Sequence, residues 1–202
     1  MISIAILCGG KSERFGADKS LHKIGNKTIV EIIFNKFKNH TDDIFLQLTK
    51  RDPEPSKVFE FSENIKFDII NEKGPLGGIF SALNHAKHNQ IFIVAGDLIN
   101  IEKNIIDELA KFIDYNLVVP KWDDNLVEPL CAIYSKNILP VIETQINAND
   151  LKINNLFKII EKEYLEKYRI KYVNINDLID ENRISQSCFQ NINTIKDLAL
   201  NH

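Results

Sequence analysis

Three glycines and three basic side chains fall within fifteen residues near the start of the chain, in ILCGGKSERFGADKS, Ile6 to Ser20. Such a segment has too little apolar bulk to build a core. Glycines let a backbone approach a ligand closely and turn its N–H groups toward anionic oxygens, while Lys and Arg add charge. The composition therefore points to a bound anion, most often a phosphate. Two common phosphate loops can be tested by spacing. GxxxxGK[ST] finds its end in Gly10-Lys11-Ser12, but its first glycine position is Ala5; GxGxxG fails because Gly9 and Gly10 are adjacent and the next glycine is Gly16. What remains is an apolar run followed by G-G-x-x-x-R-x-G-x-x-K, with Gly9, Gly10, Arg14, Gly16 and Lys19 as the informative positions. A guanidinium and an ammonium there suit the neutralisation of a leaving pyrophosphate.

A second candidate is Asp97, which follows Gly96 at the end of an apolar run. Alone, such an Asp reads equally as a turn or helix-capping residue, a part Asn100 could share. On the same edge as a phosphate loop it reads as a ligand for a divalent cation. Gly77 and Gly78, just after Gly74-Pro75, either permit close helix–sheet packing or leave backbone open to a base. Cys8 lies in the loop as a small residue rather than a nucleophile, since no His stands beside it in sequence. His85 and His88 suit solvated or capping roles, and Glu161–Arg169 reads as a solvated helix face.

These residues need a scaffold, and the hydrophobic pattern supplies one. Ile2–Leu7 is a continuous apolar run expected to form a buried parallel strand. Thr28–Phe37 has helical spacing, Asp43–Leu48 and Ile65–Ile70 read as strands, and a helix is expected from about Leu76 to Lys87. A strand at Ile91–Ala95, a helix at Glu102–Ile113 and extended segments at Asn116–Pro120 and Pro129–Tyr134 follow. Helices near 136–146 and 151–164 and a strand at 169–175 come next. FQNINTIKDLAL reads as a short strand leading into a helix. Alternation of this kind predicts an α/β fold with a mostly parallel central sheet flanked by helices, in which ligands bind beyond the carboxyl ends of the strands. The opening loop, the Gly-Pro turn and Asp97 all fall at such ends.

Composition narrows the function. The 202 residues are 44% hydrophobic and 26% charged, ordinary values for one globular domain. No apolar run is long enough to span a membrane and the first residues lack a signal peptide's basic region. Cys8, Cys131 and Cys188 are odd in number and widely spaced, which argues against a disulfide framework and for the cytoplasm. The net charge of −3 is uneven: residues 9–27 hold five basic and two acidic side chains, leaving 20 basic and 26 acidic elsewhere. An acidic body with one basic loop suits a compact anionic ligand and not a nucleic acid.

Further motifs occur in a fixed order: GPLGGIFSAL (Gly74–Leu83), Gly96-Asp97, EPLCAIY (Glu128–Tyr134) and NINTIKDL (Asn191–Leu198). With the opening loop they resemble the nucleotidyltransferases that activate sugars and cofactors with NTP. Among these the chain is most similar to the molybdenum cofactor guanylyltransferases, the MobA type, over nearly its whole length. The resemblance implies a Rossmann-like nucleotide-diphospho-sugar-transferase fold and transfer of GMP from GTP to molybdopterin, with release of pyrophosphate and Mg²⁺ as cofactor. It implies one domain over 1–202, with a nucleotide-binding part to about residue 115 and an acceptor-binding part after it. It places Leu7, Cys8, Gly9, Gly10 and Lys19 in the nucleotide loop, and Asn71, Gly74, Pro75, Leu76 and Gly78 against the nucleotide. Arg14, Lys19 and Asp97 are assigned to catalysis, and Asp97 with Asn193 to the metal. Molybdoenzyme-maturation proteins are admitted as partners. Departures from the family's pattern are Cys8 for the usual Ala, Asn71 where Asp is frequent, and Asn154 and Asn155 where Arg pairs occur. A cytidylyltransferase or sugar-phosphate enzyme of the same fold, and a non-catalytic GTP-binding module that delivers cofactor, remain as alternatives.

Overall fold

The computed structural model describes residues 1–8, 21–49, 61–62 and 64–190. Gly9, Gly10, Arg14, Gly16, Lys19 and Asn193 lie outside the described residues, as does the expected helix at the end of the chain. Strand β1 (Ile2–Cys8) is flanked on both sides. The hairpin β2 (Lys23–Ile24) and β3 (Lys27–Thr28) leads into helix α1 (Ile29–Phe37). Then come β4 (Ile44–Leu48), β5 (Ile65–Phe67), α2 (Gly74–His85), β6 (Gln90–Ala95) and α3 (Asn104–Ala110). The chain continues through β7 (Leu117–Lys121), β8 (Cys131–Ser135), a 3₁₀ turn at Lys136–Ile138, α4 (Leu139–Asn147), α5 (Ile153–Glu163), β9 (Ile170–Asn174) and α6 (Ile175–Asp180).

The main sheet has seven strands in the order β5-β4-β1-β6-β8-β7-β9. All run parallel except β8, which pairs antiparallel with β6 and β7. The turn at Trp122–Asn125 allows this reversal: Asn125 takes a φ of 70° and donates to the Trp122 carbonyl at 3.0 Å. Strand β1 is apolar throughout because both its faces are covered. Ile4, Ile6 and Cys8 pack with Ile33 and Phe37 of α1, Ile105 of α3 and Leu178 of α6. On the other face, Ala5 and Leu7 pack with α2, and that cluster extends to α4 and α5. Expectation and structure agree on this layered α/β architecture. No helix among the described residues is long and apolar enough to cross a membrane.

Boundaries differ from the sequence expectation where local chemistry intervenes. Helix α2 starts at Gly74 rather than Leu76, because Pro75 has no N–H to lose in a first turn. It ends at His85, so His88 lies beyond it. His88 instead meets Asp42 through Nε2 at 2.6 Å, while His85 turns toward Gln47. Strand β5 stops at Phe67, three residues short of Ile70, where the chain turns toward α2. Helix α3 is confined to Asn104–Ala110, and α5 ends at Glu163, so the stretch to Arg169 is not one helix face. The β2–β3 hairpin and α6 were not expected. The hairpin turns on Gly25 with a φ of 60°, and Asn174 caps α6 by accepting from the Asp177 amide at 3.2 Å.

Candidate active site

The strand order reverses direction at β1, with β4 and β5 on one side of it and β6 on the other. The crevice at its carboxyl end is where an open α/β sheet holds a ligand. The Leu7 carbonyl accepts from the Gly96 amide at 2.9 Å, which locks the end of β1 to the end of β6. Leu7 faces α2. Cys8 points the other way, buried among the α1-side residues, with Sγ 3.6 Å from the Ile6 carbonyl. That orientation matches a small filler. All three cysteines are reduced and buried.

Asp97 stands half-buried in the turn after β6. Its carbonyl accepts from the Ile99 amide at 3.0 Å. Neither Asp97 nor Asn100 caps α3, whose N-cap is Lys103. Among the described residues the Asp97 carboxylate makes no hydrogen bond or ion pair that the turn requires. Lys36 of α1 reaches under this turn and donates to the carbonyls of Ile99 at 2.7 Å and Ile101 at 2.8 Å. Burial holds the Lys36 ammonium below its ordinary pKa, opposed by the nearby Cys188 and Glu102. Asn100 donates to the carbonyl of Gln190 at 3.4 Å, so Gln190 lies beside the Asp97 turn.

On the other side of β1 lies the Gly-Pro turn. Asn71 and Glu72 are exposed, and Glu72 and Gly74 take positive φ, 59° and 57°. Pro75 is exposed and Leu76 fully buried beneath it. The two glycines that follow differ in what surrounds them. A β-carbon on Gly77 would lie 2.7 Å from the Lys73 Cβ, so Gly77 is a packing requirement. A β-carbon on Gly78 would meet Leu7 Cδ1 at 3.5 Å and Asp68 Oδ1 at 4.0 Å, in the space between them. A side chain on Gly78 would thus meet only ordinary contacts, beside Leu7 and Asp68.

Sequence reasoning passed over Asp68 and Gln47. Asp68 directly follows β5 at the carboxyl edge and is 6% exposed. Gln47 Nε2 donates to Asp68 Oδ1 at 2.8 Å, and Gln47 Oε1 lies 3.1 Å from His85 Nδ1. Ser81 accepts from the Ile69 amide at 2.9 Å and donates to the Gly77 carbonyl at 2.7 Å, tying the segment after Asp68 to α2. Burial pushes the Asp68 carboxyl above its ordinary value, and the Gln47 hydrogen bond partly offsets this. The available signal was a lone amide inside IFLQL and a carboxylate ending IKFD. Asn71, the residue singled out by resemblance three positions on, is left exposed in the turn.

Beyond β6, the Leu130 carbonyl of the EPLCAIY element accepts from the Ala95 amide at 2.8 Å, which brings Glu128–Leu130 to the same edge. Glu128 accepts from Trp122 Nε1 at 2.9 Å, and burial raises its pKa against that bond. Asn155 donates to both oxygens of Asp150 at 2.9 Å and Asn154 is exposed.

A doubly wound sheet whose switch point gathers Leu7, Gly78, Asp68 and Asp97 is that of a nucleotide-binding α/β transferase. The sequence profile of the MobA-like NTP transferase domain matches residues 4–166, and the chain belongs to this family of nucleotidyltransferases. It is 34% identical over 196 residues to a protein of Clostridium perfringens strain 13 named "Probable molybdenum cofactor guanylyltransferase", covering 96% of this chain and 92% of that one. A protein of Flavobacterium johnsoniae with the same name is 31% identical over 189 residues, covering 90% and 96%. Among solved structures, molybdopterin-guanine dinucleotide biosynthesis protein A of Archaeoglobus fulgidus shares the fold. It has a TM-score of 0.76 and 23% identity, covering 98% of this chain and 96% of that one. A nucleotidyl transferase of Methanothermobacter thermautotrophicus shares it with a TM-score of 0.72 and 14% identity, covering 99% and 95%.

Proposed function

We propose that the protein transfers GMP from GTP to molybdopterin, forming the guanine dinucleotide cofactor and releasing pyrophosphate. A terminal phosphate oxygen of molybdopterin attacks the α-phosphorus, a new P–O bond forms, and the bond from that phosphorus to the pyrophosphate oxygen breaks. The nucleophile is already an anion, so no general base is needed. The residues contribute position and charge. The base lies against Leu7 and Gly78 with its donors toward Asp68. Gly9 and Gly10 are assigned to the phosphates, with Asn71, Gly74, Pro75 and Leu76 forming the turn beside the nucleotide. Arg14 and Lys19 hold the departing pyrophosphate.

Asp97 offers a partly exposed oxygen donor that no hydrogen bond or ion pair among the described residues occupies. That fits Mg²⁺, which is held by one or two protein oxygens together with phosphate oxygens and water. Asp97, with Asn193 as second ligand, would hold the ion; the approach of Gln190 to Asn100 supports that pairing. The bound ion supplies charge withdrawal from the triphosphate. Glu128–Leu130 and the strands after residue 116 form the acceptor side. The cytoplasm is the proposed compartment, and molybdoenzyme-maturation proteins would receive the product.

The observation that carries this reading is the placement of Asp68 and Asp97 on either side of the end of β1. This occurs in a chain matched almost end to end by relatives named guanylyltransferases. The test is pyrophosphate release with each NTP, with and without molybdopterin. Turnover is expected with GTP and Mg²⁺ only when molybdopterin is present. Preferred turnover of CTP, or of GTP with a sugar phosphate, would assign the protein to another member of the fold. GTP binding without any turnover would leave a delivery module.

A further inference from the structure

Gln47 is 1% exposed, and both ends of its carboxamide are used: Nε2 toward Asp68 and Oε1 toward His85. An amide can be turned end for end with little change in shape, exchanging a donor for an acceptor. In one orientation the NH₂ faces Asp68, and the carboxylate stays ionised as an acceptor. In the other the amide oxygen faces Asp68, and that contact is favourable only if the carboxyl is protonated and acts as a donor. The two orientations thus present opposite hydrogen-bonding characters to a ligand in the crevice. Nothing in Gln47 or Asp68 alone chooses between them.

We infer that His85 makes the choice, and so sets the base selectivity of the site from behind, as a positioning residue two side chains removed from the ligand. Gln47 Oε1 lies 3.1 Å from His85 Nδ1, and in this assignment Nδ1 carries the hydrogen and donates to that oxygen. The Nδ1–H form holds the Gln47 NH₂ on Asp68 and leaves the carboxylate an acceptor, whereas the Nε2–H form would turn the amide end for end. An acceptor-only carboxylate matches a base edge carrying adjacent donors, the N1–H and 2-amino group of guanine. It opposes the N1 lone pair of adenine. His85 sits in the last turn of α2, the helix that carries Gly78. Helix and strand therefore hold the relay as one unit, with the ring half-buried between them. Burial, with Lys66 nearby, also keeps the imidazole neutral, the state in which a single proton must be assigned to one nitrogen.

This inference rests on the guanine reading above, and the experiment separates the two. Equilibrium affinities for GTP, ITP and ATP with Mg²⁺ are measured on wild type, His85→Leu and His85→Asn. Wild type is expected to prefer GTP. In His85→Leu the preference for GTP over ATP should fall by about 5- to 150-fold, the range for one unmade buried hydrogen bond. In His85→Asn, whose Nδ2 takes the place of Nδ1, it should recover to within about threefold of wild type. Equal wild-type affinities would overturn the guanine reading and the inference with it. A wild-type preference that His85→Leu retains, or that His85→Asn loses equally, would overturn the inference alone. ¹⁵N spectra of the wild-type imidazoles give a readout that needs no folded variant: an Nδ1–H resonance for His85 supports the relay, and an Nε2–H form refutes it.

Discussion

The ammonium of Lys36 lies 2.7 Å from the carbonyl oxygen of Ile99, two residues beyond Asp97. A second bond to Ile101 at 2.8 Å makes this one cation the clasp of the whole turn. The carbonyls would otherwise be under-satisfied beside an apolar core, and the ammonium would otherwise be buried without partners.

Replacing that clasp should therefore disturb Asp97 without touching it. Lys36→Met keeps the stem volume and removes two charge-assisted bonds. It should cost about 2–3 kcal/mol, or roughly 5–10 °C in melting temperature for a domain of this size. Turnover should fall about tenfold, on the sensitivity of catalysis to small displacements of a metal-holding group. Calorimetry and steady-state rates together check it. An unchanged melt would mean the turn holds its shape unaided.

Asp97 itself should behave in the opposite way. Its carboxylate supports nothing in the described fold, so Asp97→Asn should melt within about 2 °C of wild type. Turnover should drop roughly a thousandfold, because each 1.4 kcal/mol of lost charge stabilisation is about tenfold in rate. Near-normal turnover in the variant would place the cation elsewhere.

The raised pKa of Asp68 predicts a pH dependence with a definite sign. Burial favours its neutral form, so the carboxyl ionises only above the ordinary carboxylate value. GTP affinity should rise with pH through that raised value and be level above it. Asp68→Asn should abolish the slope and weaken GTP by roughly 10- to 100-fold. Stability runs the other way. A folded pKa above the unfolded one means this group's contribution is fully present below the unfolded value, and it is lost as pH rises through the folded value. Titrations of binding and of melting temperature on both proteins separate the two effects.

Adjacent glycines should respond with opposite signs. Gly77→Ala forces a β-carbon onto Lys73 and should destabilise by about 1–3 kcal/mol. Gly78→Ala meets only ordinary contacts and gains helix propensity, so it should leave stability level or raise it by up to about 1 kcal/mol. Its methyl fills the space between Leu7 and Asp68, so it should weaken nucleotide binding. Thermal melts with and without GTP read both quantities in one experiment. Parallel behaviour of the two variants would remove Gly78 from the pocket wall.

Periodicity and punctuation are local properties, and they were legible from residues alone. The apolar run of β1, the spacing of Ile29, Ile33 and Phe37, and the Gly-Pro entry to α2 each depend on neighbours within a few positions, so the sequence by itself determined the layered α/β class and the order of its elements. Asp97 could be found because a strand end is marked in sequence by the loss of apolar character. The insertion of an antiparallel β8 between β6 and β7 was not legible, because pairing partners are chosen by burial across the sheet and not by adjacent residues. Nor was the relay. Gln47 and Asp68 are 21 positions apart, and Gln47 and His85 are 38 apart. Each taken singly is an ordinary polar residue near an element's end. Only the tertiary structure, by packing α2 against β4 and β5, brought those three side chains within hydrogen-bonding distance of one another.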